Sequence, residues 1–155
     1  MKIEVLFLGK TKDAYLAEGI NGYIARLSHY VSLSVKTVKM KAKAQWNDEI
    51  IKEQEGKLLL NHVPAGAFKV VLDSRGRQCT SEELAALLDR WEQRGEKQIS
   101  FLIGGALGVS QEVETGADLL LSFSKMTFTH DMIRLFLLEQ LYRAYTIKAG
   151  EKYHK

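Results

Sequence analysis

The residues best equipped for chemistry cluster in the last third of the chain. Tyr153-His154-Lys155 places an aromatic ring able to stack on a base, an imidazole able to move a proton near neutral pH and an ammonium able to meet phosphate side by side. Taken alone, Gly150 to Lys155 reads as a frayed terminus. Arg143 stands four residues after Glu139, so its guanidinium either forms a helical ion pair worth about 0.3 kcal/mol if exposed or is free to meet an anion. A glycine-rich loop, Gly104-Gly105-Ala106-Leu107-Gly108, follows an apolar run, and missing side chains there let a ligand approach the backbone. It is not G-x-G-x-x-G and no lysine follows as in a P-loop, so dinucleotide and triphosphate binding are poorly supported; a tight strand-to-helix turn is the plain alternative.

A second loop, Ser122 to His130, alternates hydroxyl and apolar side chains ahead of a long helix. Phe123, Met126 and Phe128 could wall an aromatic ring while backbone amides near the helix start meet polar groups; one more alternating strand is the competing reading. Lys36, Lys39, Lys41 and Lys43 form the one concentrated basic run, read as an RNA-facing loop or as a solvated one. With four histidines, no H-E-x-x-H and one cysteine, no metal site is expected.

The elements that must position these groups follow from periodicity. Lys2 to Gly9 reads as a buried strand, Asp13 to Ser28 as a helix, and Val31 to Val38 alternates like an edge strand. Asn47 caps a helix carrying Ile50, Ile51, Leu58 and Leu60, with Asp48 and Glu49 at its positive end. Ala67 to Leu72 predicts a third strand, with Asp73 to Arg77 as a polar turn at its carboxyl end, the edge where open α/β sheets hold ligands. Thr80-Ser-Glu-Glu83 is a capping box, and Leu84, Leu87, Leu88 and Trp91 continue as one apolar stripe. Gln98 to Ile103 is a fourth strand; a short helix from Ser110 and a strand at Asp118 to Phe123 come next. Alternating strands and helices predict an α/β fold, a mostly parallel sheet with helices on both faces, in a single domain spanning residues 1–155. The final helix, Asp131 to Lys148, is apolar nearly all round, which predicts cover by a second subunit in a two-fold homodimer.

Composition is permissive. Apolar residues make up 46% of the chain, enough for a core, and the +3 balance of 22 basic against 19 acidic residues does not by itself announce nucleic acid. A lone Cys79, no basic and apolar leader, and no apolar run near twenty residues lead to the expectation of a soluble, cytoplasmic protein that does not enter a membrane.

LIGGALG (Leu102 to Gly108), LSFSKMTFTH (Leu121 to His130), EQLYRAYTI (Glu139 to Ile147) and the terminal YHK together resemble the RlmH family, bacterial methyltransferases that modify N3 of a pseudouridine in 23S ribosomal RNA. The resemblance covers the whole chain. It implies a SPOUT-type α/β fold with a C-terminal trefoil knot, S-adenosylmethionine as cofactor, a homodimer, and a pseudouridine of helix 69 in the assembled ribosome as target. Cofactor contacts are implied for Leu72, Gly104, Gly105, Gly108 and the run Phe123, Ser124, Lys125, Met126, Thr127, Phe128. For the chemistry it points to His154 as proton acceptor or orienter, Tyr153 against the base, and Arg143 with Lys155 on developing or phosphate charge, with His130 as the rival acceptor. Lys36, Lys39, Lys41, Lys43 and Lys155 are the expected RNA contacts. The chain departs from the family pattern where Lys152 replaces the tail proline and where Ala106 and Thr129 replace prolines of the two loops. A non-catalytic RNA-binding or ribosome-associated module would account for the lysines and the tail, though not for the paired loops.

Overall fold

The computed structural model describes residues 1–154; Lys155, expected to contact RNA, lies outside the described residues. The elements run β1 (Lys2–Leu8), α1 (Ala14–Leu27), β2 (Ser32–Val38), α2 (Asp48–Asn61), β3 (Phe68–Gln78), α3 (Ser81–Gln93), β4 (Gln98–Ile103), α4 (Gln111–Gly116), β5 (Leu119–Ser122) and α5 (His130–Lys148). The five strands pair in parallel in the order β2-β1-β4-β3-β5. β2, with its wetter alternating face, occupies an edge as its pattern predicts.

Strand alternation divides the core into two layers. Ile3, Val5, Phe7, Val70, Leu72, Ile99, Phe101, Ile103 and Leu121 face one side, where Leu84, Leu88, Leu137, Leu138 and Leu141 of α3 and α5 cover them. Leu6, Leu8, Val71 and Leu102 face the other, against Leu59 of α2 and Val113 of α4. Each such side chain contributes about 1.5–3 kcal/mol on leaving water. Local signals hold where the spacing is explicit: Asn47 Oδ1 accepts from the Ile50 amide at 2.9 Å, and both halves of the Thr80/Glu83 capping box form.

One expectation needs correcting. Asp73 to Arg77 is not a turn that ends β3: the strand continues to Gln78, and Leu121 of β5 is partnered first by Leu72 and again by Arg77. The register therefore shifts between Leu72 and Arg77, an irregularity at which one residue of β5 is opposed by two of β3. A side chain has no room there, since a Cβ on Gly76 would sit 2.6 Å from the Leu120 carbonyl carbon. The polar composition of this segment suggested a turn because it leaves the sheet's core, not because its backbone stops being extended. The helix expected to face a second subunit, α5, has no exposed residue and is flanked by α1 and α3 within the chain.

Candidate active site

A cavity of about 560 Å³ opens at the carboxyl edge of the sheet, where β4 and β5 end beside the middle of β3. Its walls are Leu72, Asp73 and Ser74 of β3, Ile103 to Val109 after β4, and Leu121 and the loop after β5 running into His130 and Ile133 of α5. The glycine loop is compact: the Gly108 amide donates to the Gly105 carbonyl at 3.1 Å, and Gly108 has a φ of 82°, which disfavours other residues. Gly104 is required by contact. A Cβ there would lie 2.7 Å from the Gly108 carbonyl oxygen.

The opposite wall, residues 123–128, is a loop and not an alternating strand. Ser122 Oγ donates to the carbonyls of Ser74 and Ser124, and Ser124 Oγ accepts from the Met126 amide at 3.0 Å, so hydroxyls here serve to fold the loop. Thr129 caps α5 by accepting the Met132 amide. Leu107, Met126 and Phe128 are three of the five large apolar side chains that remain exposed, and all three line this cavity. An apolar-walled space of this size suits a small organic ligand with an aromatic ring.

At the floor, His130 Nε2 lies 3.3 Å from Asp131 Oδ1. Burial holds the His130 pKa below its ordinary value, only partly countered by Asp131. Desolvation thus favours the neutral form of the imidazole. Behind it the fully buried Arg134 donates to the carbonyls of Leu8 and Gly9 and to Thr11 Oγ1, and lies 3.3 Å from Asp131. Beneath the glycine loop, Glu55 Oε2 is buried without a hydrogen-bond partner, and burial pushes the Glu55 carboxyl up.

The tail does not fray. Tyr153 packs edge-on against Tyr142 at 4.8 Å, shares a hydroxyl contact of 3.1 Å with Tyr23 and donates to Glu139 Oε1. Arg143 is held by Glu139, lies over the Tyr153 ring at 4.8 Å and sits 3.4 Å from His154 Nδ1. The far ring nitrogen of His154 is 2.8 Å from Glu82 Oε1. The Glu139 bond holds the Arg143 pKa up, while burial and then the Tyr23 contact raise that of Tyr153. Arg143, Tyr153 and His154 thus form one cluster, but within one chain it is remote from the cavity. Ile133 lines the cavity, and Arg143 stands about 15 Å further along α5.

Of the expected cofactor contacts, Leu72, Gly104, Gly105, Gly108, Phe123, Ser124, Met126, Thr127 and Phe128 line the cavity and Lys125 does not. Lys39, Lys41 and Lys43 follow β2 at the same carboxyl edge, whereas Lys36 is engaged at 2.6 Å by the buried Glu4. Sequence reasoning assigned no role to Thr129 or Ile133 at the cavity, or to Tyr23 and Glu82 beside the tail, whereas Ser74 fell in the segment expected at the ligand edge and lines the cavity from within β3. Among the described residues no group of three or more His, Cys, Asp or Glu could hold a metal, and no helix is long and apolar enough to cross a membrane.

A parallel α/β sheet with a glycine loop beside a cavity at its carboxyl edge is the setting in which the family match falls. The chain belongs to the SPOUT methyltransferases: the family model described as "Predicted SPOUT methyltransferase" matches residues 1–154. Among curated proteins it is similar to Ribosomal RNA large subunit methyltransferase H of Desulfotalea psychrophila, 55% identical over 155 residues covering 100% of both chains. The proteins of the same name from Syntrophotalea carbinolica and Halothermothrix orenii are 44% identical over 154 residues, covering 99% of both chains, and 46% identical over 159, covering 100% of both.

Proposed function

We propose that this protein methylates N3 of a pseudouridine in helix 69 of 23S ribosomal RNA, on the assembled ribosome, using S-adenosylmethionine. The observation that carries the reading is the cavity bounded by residues 104–109 and 121–130, in a chain 55% identical over its full length to a protein named for ribosomal RNA methylation. The residues fit the cofactor: Gly104 lets the loop close against Gly108 beside the cavity, and Leu107, Met126 and Phe128 offer apolar surface to an adenine ring. S-adenosylmethionine supplies an electrophilic methyl group on a sulfonium. The protein's own residues must hold the uracil face in line with that methyl and take the N3 proton, which an imide retains at neutral pH. The reading includes a C-terminal trefoil knot, as the family resemblance implies.

His154 is the proposed proton acceptor or orienter, Tyr153 the aromatic contact and Arg143 the charge stabiliser. Since these groups lie about 15 Å along α5 from the cavity of their own chain, the reading includes a homodimer in which one protomer's tail serves its partner's cavity. His130, whose neutral form burial favours and which is already at the cavity floor, is the competing acceptor. Lys39, Lys41 and Lys43 complete a basic rim for the RNA backbone. A purely RNA-binding module leaves the cavity without a purpose.

The test is methyl transfer to unmethylated ribosomes, read by mass spectrometry of 23S RNA, with calorimetric titration of S-adenosylmethionine. Wild type should bind the cofactor and modify one pseudouridine. His154→Ala should retain cofactor affinity and lose transfer; near-wild-type turnover in His154→Ala with loss in His130→Ala would move the role to His130. No cofactor uptake by the wild type would end the reading.

A further inference from the structure

A second cleft, of about 210 Å³, lies beside β5 on the α3 side of the sheet. Its apolar base is Phe68, Leu87, Trp91 and Leu119, with the Phe68 and Trp91 rings 5.0 Å apart, and its rim carries Arg77, Arg90 and Arg94. The three come from separate places, the end of β3, the last turn of α3 and the residue that closes that helix. Among the described residues, carboxylates hold Arg75, Arg134 and Arg143, whereas no ion pair holds any of these three. The nearby acids are engaged elsewhere. Asp118, which also lines the cleft, accepts from the Lys69 amide at 2.7 Å and lies 3.7 Å from its ammonium, and Asp89 and Glu92 both pair with Lys148.

Three arginines lining one cleft, none of them in an ion pair among the described residues, leave an excess of positive charge that a bound anion would offset. Arginine presents its donors as a planar fork that matches phosphate. The space is below the roughly 300–1,000 Å³ of sites for drug-sized ligands, too small for a nucleotide and sufficient for one phosphodiester. Phe68 and Leu119 set the base of the cleft at the amino ends of β3 and β5, while Arg77 reaches it from the far part of β3, three residues or at most about 10 Å along the strand from Ser74 of the cofactor cavity.

We infer that Arg77, Arg90 and Arg94 form a backbone-phosphate site for the RNA substrate, separate from the cofactor cavity, which anchors the RNA strand beside the target nucleotide. This rests on the proposed function as an RNA methyltransferase. The geometry assigns the cleft a positioning role with no sequence readout, because it offers charge and a fork but no pocket for a base.

The test uses the full-length Arg90→Gln/Arg94→Gln protein, whose substitutions lie on the surface, with Arg90→Lys/Arg94→Lys as the charge-preserving control. Methylation of unmethylated ribosomes is followed between 50 and 200 mM salt, alongside calorimetric affinity for S-adenosylmethionine. The glutamine variant should raise KM for ribosomes by roughly tenfold and flatten its logarithmic salt dependence by about one to two, with cofactor affinity retained and a much smaller change in kcat. The lysine variant should recover the salt slope and only part of the KM. A folded glutamine variant with wild-type KM and salt slope overturns the cleft while leaving the methyltransferase reading intact. A lysine variant as impaired as the glutamine variant in salt slope also overturns it, since charge would then not be what the site supplies. If wild type transfers no methyl to ribosomes but binds the cofactor, both readings fall together.

Discussion

Replacing Arg134 by methionine should be the most damaging single change to the fold that leaves the volume of the core nearly intact. The guanidinium is fully buried and donates to Gly9 O at 3.0 Å, to Thr11 Oγ1 at 2.9 Å and to Leu8 O, lies 3.3 Å from Asp131 and stacks 4.6 Å from the Phe7 ring. Burial already lowers its pKa, so the charged form depends on those partners. Methionine fills much of the same space but leaves two strand-end carbonyls without that donor and the Asp131 carboxylate, 6% exposed, facing only the Lys12 amide and His130. Removing one partner of such a pair costs about 3–5 kcal/mol, a third or more of a typical domain's stability. In a chain of this length that lowers Tm by about 10 °C. Urea unfolding at pH 7 should show the loss as a shifted midpoint at unchanged slope. Adding Asp131→Asn to Arg134→Met should recover about 1 kcal/mol or more, because the stranded charge is the main penalty. A loss below about 1 kcal/mol in the single variant, or strict additivity in the pair, would refute the buried clamp as the link between β1 and the start of α5.

Two further outcomes follow from the cavity. Gly104→Ala should reduce S-adenosylmethionine affinity by more than tenfold in calorimetry, since the new Cβ would sit 2.7 Å from the Gly108 carbonyl oxygen and force the cradle open. Glu55→Gln should raise Tm at pH 7 and show no gain near pH 4. Burial puts the folded-state pKa of Glu55 above its unfolded value, so its contribution is most favourable below the unfolded pKa and is lost as pH rises through the folded one. A gain that is the same at both pH values would show that desolvation of the carboxylate is not the cause.

Much of this molecule is written locally. The capping box at Thr80 and Glu83, the apolar run from Gln98 to Ile103, and the glycine loop after it each depend on residues within a few positions of one another. The four motifs read in order carried the family, and nine of the ten positions expected from it to meet a cofactor line the cavity. The β3 extension was missed because its polarity is that of a turn, while its shape is set by β5, some forty residues later. The tail was ambiguous for the same reason: Tyr153 and His154 are held by Tyr23, Glu82 and Glu139, which no short-range pattern connects to them.

The sequence alone determined the order and kind of the elements, two loops able to cradle a ligand, and the resemblance that gives them a reaction. Tertiary structure alone decided that those loops share one cavity, that the tail cluster stands apart from it along α5, that Lys36 is engaged by Glu4, and that three unpaired arginines meet at one cleft. The physical reason is range. Caps, turns and amphipathic stripes come from interactions within about one helical turn, whereas a site is a meeting of side chains brought together only when the sheet order is chosen.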